Sequence, residues 1–545
     1  MGEIVNRSFW KTKLKKNQVG LLLAAGAISL VLYLVLALRY PLGSSLADPR
    51  ATWVTLNGGS PTGIALHLVV YLCLTVLYAA TLNLLNRQKT SETSQNHDHP
   101  TNSRWIYGII IASWLSFSMV MMTSASSGES HDIFDYVFRG RMTVESNANP
   151  LVEVPRSYRT NAYIRFVAWQ KNVDTYGPLW EITSIGVSSA VHQFAEMSNW
   201  EINGLPSCPK SPASCRLLIT YLTSYRLLAV ILSGIAAALI ASMVNRIQPG
   251  YAPIALAAWL WNPLALISTA VGGHNDLLMI VLLLVGVWLM QRQLPFMALL
   301  ALILAAHVKL IALIWMPLFV FWTLRRWGLR RAFISFAGCA AMGMGISWLL
   351  YNPFGGWGSL PRMLHERTLY LANSVWQAAY TYLYKQQGWD KEHVLRLTTE
   401  LPTWAFIAIA ILLSLWMLNF RPKRWQRSPD PLADDDRRLW MSLTWISLLY
   451  LVLGAFWFQH WYILWVLAPA ALIPGSNFTR NVLPYLSFGA LSANFAQGFI
   501  FQKVPKTNPR SGVYLLNTAI IWVPALVAGI ISSLVSRIRS QHQTG

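Results

Sequence analysis

Apolar runs close to twenty residues long recur along the whole chain and alternate with short, charged connections. A run of this length, wound as a helix, can cross a bilayer core of about 30 Å. The pattern predicts an all-α, polytopic membrane protein with about fourteen transmembrane helices. The predicted crossings are 20–38, 64–84, 105–122, 217–244, 254–270, 277–290, two short helices within 294–324, 332–350, 404–420, 439–456, 462–473, 482–500 and 513–535.

Basic residues gather in alternate connections, which is typical of the cytoplasmic loops of membrane proteins. This rule places both termini in the cytoplasm and the long loops 123–216 and 351–401 outside. The run 177–194 could cross the membrane or lie in its interface. A crossing would put Arg246 and the basic cluster 325–331 outside, so we expect an interfacial helix here, one of two in the first outer loop.

The composition fits a membrane protein, because 54% of the residues are hydrophobic and only 12% are charged. The net charge of +21 could suggest a nucleic-acid partner, but most of the excess lies in short loops. We therefore predict membrane lipids as the surroundings and no nucleic acid. Three segments are expected: 1–104 (an N-terminal helix pair and a cytoplasmic linker), 105–350 (a catalytic membrane module with outer loop 123–216) and 351–545 (a second outer loop and the C-terminal helices).

Four cysteines are present. Cys73 and Cys339 lie in apolar runs. Cys208 and Cys215 flank a short loop, and we expect a disulfide between them if the loop faces an oxidising compartment. No histidine or further cysteine lies near that pair, so the sequence predicts no metal site there and no cofactor.

The stretch from His131 to Arg141 carries the densest polar chemistry of the first outer loop. Helical spacing places Asp132, Asp135, Tyr136 and Arg139 on one face, with apolar residues on the other. This predicts a short amphipathic helix on the membrane, with its charged side up. The two aspartates could be a helix cap on a solvated face, or they could be catalytic.

Lys309 follows an apolar run and lies in the sequence A-A-H-V-K-L-I-A. A lysine at membrane depth costs about 3 kcal/mol, so it is a candidate functional residue. It could extend toward the headgroups, or it could bind a lipid phosphate.

Two outer connections between helices also carry polar residues. One is Gly272-Gly273-His274-Asn275-Asp276, where Asn275 or Asp276 could simply cap the next helix. The other includes Gln459 and His460, among aromatic residues that are typical of a membrane interface.

The order of these motifs resembles the C-type (GT-C) membrane glycosyltransferases, and in particular bacterial polyprenyl-phosphate-mannose-dependent mannosyltransferases. The resemblance covers the chain from about Trp105 to Ile473. The relatives show an aspartate, then R-Y, an aromatic residue, D-G-R and N-P. Asp132 matches the first aspartate, whereas Asp135 stands where arginine is common and Arg139 where the second aspartate is common. The other matching residues are Tyr136, Phe138, Gly140, Arg141, Asn149-Pro150, Tyr176-Gly177-Pro178, Trp261-Asn262-Pro263, Gly273-His274-Asn275-Asp276, Lys309 and His460-Trp461-Tyr462.

The resemblance implies an inverting glycosyltransferase that moves a hexose from a polyprenyl-phosphate sugar to a glycan or glycolipid acceptor. It places the reaction on the extracytoplasmic face of a prokaryotic plasma membrane. Elementary chemistry agrees, because the acceptor hydroxyl needs a base and the leaving phosphate needs cations. The expected roles are catalytic for Asp132 and Asp135; donor-phosphate-binding for Lys309, His274, Arg139, Arg141 and Arg362; and sugar- or acceptor-binding for Tyr136, Asn149, Tyr176, Asn275, Asp276, Gln459 and His460.

Two other classes of function remain open from the residues alone. A transporter or flippase for lipid-linked oligosaccharides would line a path with the same charged residues. A glycan polymerase or ligase would share the same chemistry on the outer face. The paired acids in a large outer loop favour an enzyme over a transporter.

Overall fold

The computed structural model describes residues 2–48, 51, 61–92, 101–125, 131–159, 161, 163–200, 215–367, 371–419, 431–503 and 511–544. The described residues form helices joined by loops, with two isolated β-bridges, Pro41 to Ser124 and Ala372 to Trp457. The predicted all-α class is therefore confirmed for this part of the chain. Cys215 is disulfide-bonded, Cys73 and Cys339 are free, and Cys208 lies outside the described residues.

The first half of the chain contains the helices that surround the candidate site. Helix α1 packs against α4, and α7 packs against both α8 and α10. The bounds are α1 Gly2–Arg39, α2 Leu42–Ala47, α3 Pro61–Glu92, α4 Thr101–Met122, α5 Asp132–Ser146, α6 Pro178–Met197, α7 Arg216–Ile247, α8 Ala252–Leu260, α9 Pro263–Ala270, α10 Asp276–Gln291 and α11 Pro295–Ala306.

The second half adds a long helix, a set of short helices and a C-terminal pair. Helices α19 and α20 pack together, and α19 also packs against α3, which closes the bundle. The bounds are α12 Met316–Tyr351, α13 Leu360–Arg367, α14 Val375–Tyr380, α15 Lys391–Leu395, α16 Leu401–Asn419, α17 Pro431–Leu449, α18 Leu464–Ala471, α19 Leu483–Lys503 and α20 Ser511–Thr544.

Seven helices among the described residues are long and apolar enough to cross a membrane, or eight if the bent pair α8–α9 counts as one span. The chain is therefore an all-α membrane protein, whereas the fourteen-crossing scheme remains a prediction. Several expected crossings are short helices: α10 has 16 residues, α11 has 12 and α18 has 8.

The bend between α8 and α9 is 54° and falls at the W-N-P motif. Pro263 has no N–H to continue the helix of α8, so a new helix begins there. The side chain of Asn262 caps that helix by accepting from the N–H groups of Leu264 and Ala265 at 3.0 and 3.1 Å. Its amide also donates to Ser487 Oγ at 3.0 Å, which ties the break to α19.

The predicted hairpin within 294–324 is only partly correct. Helix α11 and a turn at Lys309 are present, followed by a short 3₁₀ helix, Leu310–Trp315. The next helical segment, α12, spans 36 residues but consists of two helices joined at a kink, and the segment predicted as a separate crossing, 332–350, lies in the helix after that kink. Gly328 forms the kink with φ 78° and ψ 175°, a conformation that glycine adopts readily.

Helix α5 forms where predicted, but it is not an amphipathic helix with an exposed charged side. Residues 133–142 are all buried, including Asp135, Arg139 and Arg141. Helices α6 and α7 pack against α5 and cover its polar face. The spacing gave the correct helix, whereas the environment of its charged face depends on distant segments that the local sequence does not reveal.

Candidate active site

Two motifs that are far apart in the sequence are joined through their backbones. Gly177 of the Y-G-P motif donates its N–H to the carbonyl of Val308, and Leu179 donates to the carbonyl of His307, both at 3.0 Å. A Cβ atom on Gly177 would lie 2.0 Å from the His307 carbonyl oxygen, so only glycine allows this approach. The Y-G-P loop is thereby held beside the turn that carries Lys309.

Lys309 lies in a buried ion pair with Asp276. Its Nζ atom is 3.0 Å from each carboxylate oxygen of Asp276, and Trp465 donates its indole N–H to Asp276 Oδ1 at 2.7 Å. The rings of Tyr462, Tyr176 and Trp465 surround the ammonium group, with centroids 4.8, 5.4 and 5.4 Å away. The aromatic faces and the carboxylate together hold this cation at a fixed position.

Asp132 is the first residue of α5 and is partly exposed. The hydroxyl of Tyr176 donates to Asp132 Oδ2 at 3.2 Å, and the same ring contacts the ammonium group of Lys309. The N-cap of α5 is His131, whose side chain makes no capping hydrogen bond. Tyr176 therefore connects the partly exposed carboxylate with the buried cation.

Asp135 lies in a different environment from Asp132. It is buried, its Oδ2 accepts from the N–H of Ala168 at 3.3 Å, and its Oδ1 is 3.8 Å from Arg139 Nη2. Asp135 and Arg139, which are one helical turn apart, therefore lie in contact. Burial raises the pKa of the Asp135 carboxyl to about 8; Arg139 lowers it, and the nearby Asp132 raises it further. At neutral pH this carboxyl holds its proton, which makes it a poor base.

Arg139 is the cation of a buried cluster that also contains Asp174 and Glu181. Its Nε is 3.4 Å from Asp174 Oδ2, and its Nη2 donates to the carbonyls of Trp169 and Asn172. Burial, and then the charge of Asp174, raise the pKa of Glu181 well above its ordinary value. These contacts bind α5 to the loop that follows residue 166 and do not favour a phosphate-binding role for Arg139.

Arg141 and Arg362, also expected to bind phosphate, have other partners. Arg141 donates from Nε to Glu145 Oε1 at 2.8 Å, and its guanidinium group lies 4.3 Å from the ring centroid of Tyr163. Arg362 is exposed and donates to the carbonyl of Val152 at 2.9 Å. The first arginine stabilises α5, and the second links the two outer loops.

Asn149 and Tyr136, which we expected to bind sugar, instead contact other residues of the protein. The amide of Asn149 donates to the carbonyl of Phe354 at 2.8 Å, a second link between the outer loops. Tyr136 is buried with its ring against Tyr176 and Trp180, at 5.5 and 4.9 Å between centroids. Tyr136 therefore packs against the ring of Tyr176 and restricts its movement.

His274 and His460 both contact the indole ring of Trp461. His274 stacks on Trp461 at 4.0 Å between centroids, and the ring of His460 meets Trp461 edge-on at 4.9 Å. Both histidines are buried, and Gln459, immediately before His460, is half-buried. The two outer connections identified from the sequence therefore meet in the structure.

Asn275 does not cap α10, although it occupies the N-cap position. It is fully buried, and neither Oδ1 nor Nδ2 has a hydrogen-bond partner among the described residues. Nearly all buried polar groups in proteins are paired, so this amide stands out beside the Lys309–Asp276 pair. Asp276 does not act as a simple cap either, because its carboxylate binds Lys309 and Trp465.

The buried Arg226 of α7 holds the outer segments together. It donates to the carbonyls of Met122, Ser124 and Val271 at 2.6, 2.9 and 3.0 Å. The end of α4 is thereby fixed to the turn that contains Gly273, which has φ +58°. This arrangement keeps the start of the first outer loop next to the Gly-Gly-His-Asn-Asp turn.

Sequence reasoning missed Trp465, Asp174, Glu181 and Arg226. A weak signal existed for two of them, because Trp465 follows Tyr462 at helical spacing and Asp174 precedes Tyr176 by two residues. No group of three or more His, Cys, Asp or Glu side chains able to hold a metal occurs in the described part of the chain. The predictions of no metal and no cofactor remain predictions.

Comparison with known protein families identifies the class to which this fold and site belong. The family model for the N-terminal domain of alpha-(1->6)-mannopyranosyltransferases, the MptA/B family, matches residues 20–325. The model for glycosyltransferase family 87 matches residues 212–451. Comparison with curated proteins gives no match.

The chain belongs to the alpha-(1->6)-mannopyranosyltransferase MptA/B family, and it is a membrane glycosyltransferase. The resemblance seen in the sequence is thereby confirmed at the level of the family. The first match includes both Asp132 and Lys309. The second includes Lys309, but neither the loop that carries Asp132 nor the link at His460.

Proposed function

We propose that this protein transfers mannose from a polyprenyl-phosphate donor to a glycan or glycolipid acceptor, with inversion at the anomeric carbon. The observation that carries the proposal is the single phenol, Tyr176, that contacts both Asp132 and Lys309. In the reaction, an acceptor oxygen forms a bond to the anomeric carbon while the bond from that carbon to the phosphate oxygen breaks. Asp132 takes the acceptor's proton, and the bonding electrons leave with the polyprenyl phosphate.

Lys309 is our candidate for the group that stabilises the leaving phosphate. Asp276 balances its charge in the absence of donor, so donor binding adds a second anion to a preformed, desolvated cation. His274 lies on the neighbouring turn and is the second candidate. Arg139 and Arg141 already hold carboxylates, so we assign them to the support of α5.

The sugar-binding part of the site is proposed to include Asn275, Gln459 and His460. An amide side chain can donate to one sugar hydroxyl and accept from another, which fits the buried amide of Asn275. Trp461 adds an aromatic surface next to both histidines.

The extracytoplasmic side of a prokaryotic plasma membrane is proposed from charge and redox chemistry. Cys215, at the start of α7, is disulfide-bonded, and disulfides persist in oxidising compartments. Basic residues lie at the opposite ends of the helices: Arg246 near the end of α7 donates to the carbonyl of Gln291 at the end of α10. The site at the other end of α10 is then extracytoplasmic.

The test is a transfer assay with the full-length protein in nanodiscs. Radiolabelled polyprenyl-phosphate mannose and an α-mannooligosaccharide serve as substrates, and NMR of the product gives the anomeric configuration. Lys309→Met should weaken donor binding and turnover, whereas Lys385→Met, which removes an exposed lysine over a tyrosine ring, should not. Retention of full donor affinity and turnover by Lys309→Met would show that the lysine is structural. Movement of donor across the bilayer without transfer would instead indicate a transporter.

A further inference from the structure

The loop that carries Tyr176 is fixed to α5 by a buried ion pair. Arg139 and Asp174 are each 3% exposed, and Arg139 Nε lies 3.4 Å from Asp174 Oδ2. The same guanidinium group donates to the carbonyls of Trp169 and Asn172 at 3.4 and 3.0 Å. One side chain of α5 thus fixes three points of the segment that leads to Tyr176.

Asp174 uses its other oxygen to hold Tyr176. Its Oδ1 accepts from the N–H of Tyr176 at 2.9 Å, and its own N–H donates to the carbonyl of Pro150 at 2.8 Å. The residue after the tyrosine, Gly177, donates to Val308 at 3.0 Å. The backbone of Tyr176 is therefore held from both sides, which leaves its phenol directed at Asp132.

We propose that Asp174, held by Arg139, is a positioning residue that sets Tyr176 and, through it, the orientation of the Asp132 carboxylate toward the Lys309 site. The catalytic consequence rests on the function proposed above. The bond from the phenol to Asp132 Oδ2 restricts rotation of that carboxylate. A base must lie within hydrogen-bond reach of the acceptor hydroxyl, so its orientation affects the rate of the chemical step.

The arrangement of charges explains why the anchor is Asp174 and not a neighbouring acid. Three carboxyl groups, Asp135, Asp174 and Glu181, lie around the one guanidinium group of Arg139. Asp174 makes the closer contact, at 3.4 Å compared with 3.8 Å for Asp135. Burial raises the pKa of Asp135 to about 8 and also raises the pKa of Glu181, so burial favours the protonated form of both acids.

The experiment uses the full-length protein in nanodiscs with Asp174→Asn, Tyr176→Phe and the double variant. An asparagine must direct its NH₂ group at either the Tyr176 N–H or the guanidinium group. Both of these are donors, so one contact is lost. We expect kcat to fall about 10- to 100-fold in each single variant, as for a misplaced catalytic group, while the Kd for donor stays unchanged. The double variant should be no slower than the slower single variant, because both changes act through one phenol.

A readout independent of catalysis separates this inference from the proposed function. 3-Fluorotyrosine placed at position 176 reports its surroundings by ¹⁹F NMR, and Asp174→Asn should shift that resonance. The matched control is Asp436→Asn. Asp436 is another buried aspartate in a charged cluster, close to Arg246 and Gln291. Gln291 is the last residue of α10 and lies about 22 Å along the helix axis from Asp276 at its start. This control should change neither the resonance nor kcat.

Each result supports or overturns the inference. A shifted resonance with non-additive loss of kcat supports it. An unshifted resonance, or losses that multiply in the double variant, overturns it. If wild-type protein transfers no mannose while Asp174→Asn shifts the resonance, the proposed function fails and the positioning contact stands. Because Asp174→Asn removes no large group, a variant that does not fold would show a purely structural role and overturn the inference.

Discussion

At the scale of single residues, two carboxyl groups one helical turn apart have opposite environments. Asp132 is partly exposed and accepts from a phenol, whereas Asp135 is buried against one arginine at 3.8 Å. A proton acceptor must be ionised and reachable by the acceptor hydroxyl. The partial exposure of Asp132, together with the raised pKa of the buried Asp135, favours Asp132 as the base.

We therefore expect Asp132→Asn to lower turnover by about 10²- to 10⁴-fold while donor binding survives, since the amide cannot accept the proton. Asp135→Asn should have a much smaller effect on turnover. Initial rates at saturating donor, with thermal unfolding of each variant as the folding control, decide between them. An inactive Asp135→Asn beside an active Asp132→Asn would reverse the assignment.

Asp135 should also make stability depend on pH. Its folded pKa, about 8, lies above the ordinary value of 3.8, so the folded state holds a proton that the unfolded state releases between these values. Stability conferred by the protonated form is therefore lost as pH rises from about 4 to about 8, and the loss then levels off. If the pairing with Arg139 dominated, the folded pKa of Asp135 would lie below 3.8, and stability would instead increase as pH rises.

The measurement is the midpoint of thermal unfolding between pH 5 and 9 for wild type and Asp135→Asn. The asparagine cannot ionise, so the unfolding midpoint of the variant should increase relative to that of the wild type as pH rises. The difference between the two midpoints should become constant above pH 8. Parallel curves across the whole range would show that this carboxyl is already ionised at pH 5.

At the scale of elements, the sequence predicts helices well and their contacts poorly. The helix at Asp132–Ser146 and the polar connections at His274 and His460 follow from spacing and composition, whereas the contact between the two connections does not. The partner of Lys309 does not follow from them either, because Asp276 lies 33 positions away and reads locally as a helix cap. Burial of the charged face of α5 likewise depends on α6 and α7, which no local pattern specifies.

The contact between the Y-G-P loop and the Lys309 turn gives a prediction at this scale. Gly177→Ala would place a Cβ 2.0 Å from the His307 carbonyl oxygen, so the loop must move and carry Tyr176 away from Asp132. We expect a loss of about 1–3 kcal/mol in stability, typical of overpacking, together with lower turnover.

The matched control is Gly186→Ala in α6, where a Cβ would meet no atom within 4 Å. That change should leave turnover unchanged and stabilise the helix by up to about 1 kcal/mol, since alanine is the better helix former. Thermal unfolding and initial rates measure both variants. Equal stability and turnover of the two alanine variants would show that the loop tolerates the displacement.

At the scale of the whole molecule, hydrogen bonds join three segments that are far apart in the sequence. Asn149 and Arg362 link the first loop to the second. The second loop is in turn joined to the 456–458 segment through Ala372, which accepts from the N–H of Phe458 at 2.9 Å. Charge patterning could predict that these loops share one side of the membrane. Their pairing could not be predicted, because it is set by single hydrogen bonds between distant residues.

The sidedness of this arrangement yields the last prediction. In a background with Cys73 and Cys339 replaced by serine, reduction should let a membrane-impermeant maleimide label Cys208, the predicted disulfide partner of the buried Cys215, on intact cells. An added Gln293→Cys, at an exposed position just after α10, should react only after the membrane is opened. The reason is that the two ends of α10 differ. The Lys309–Asp276 pair lies at its start, and basic residues such as Arg292 follow its end. Basic helix ends face the cytoplasm. Labelling in the opposite order would place the site on the cytoplasmic face, where an extracytoplasmic polyprenyl-phosphate sugar could not reach it.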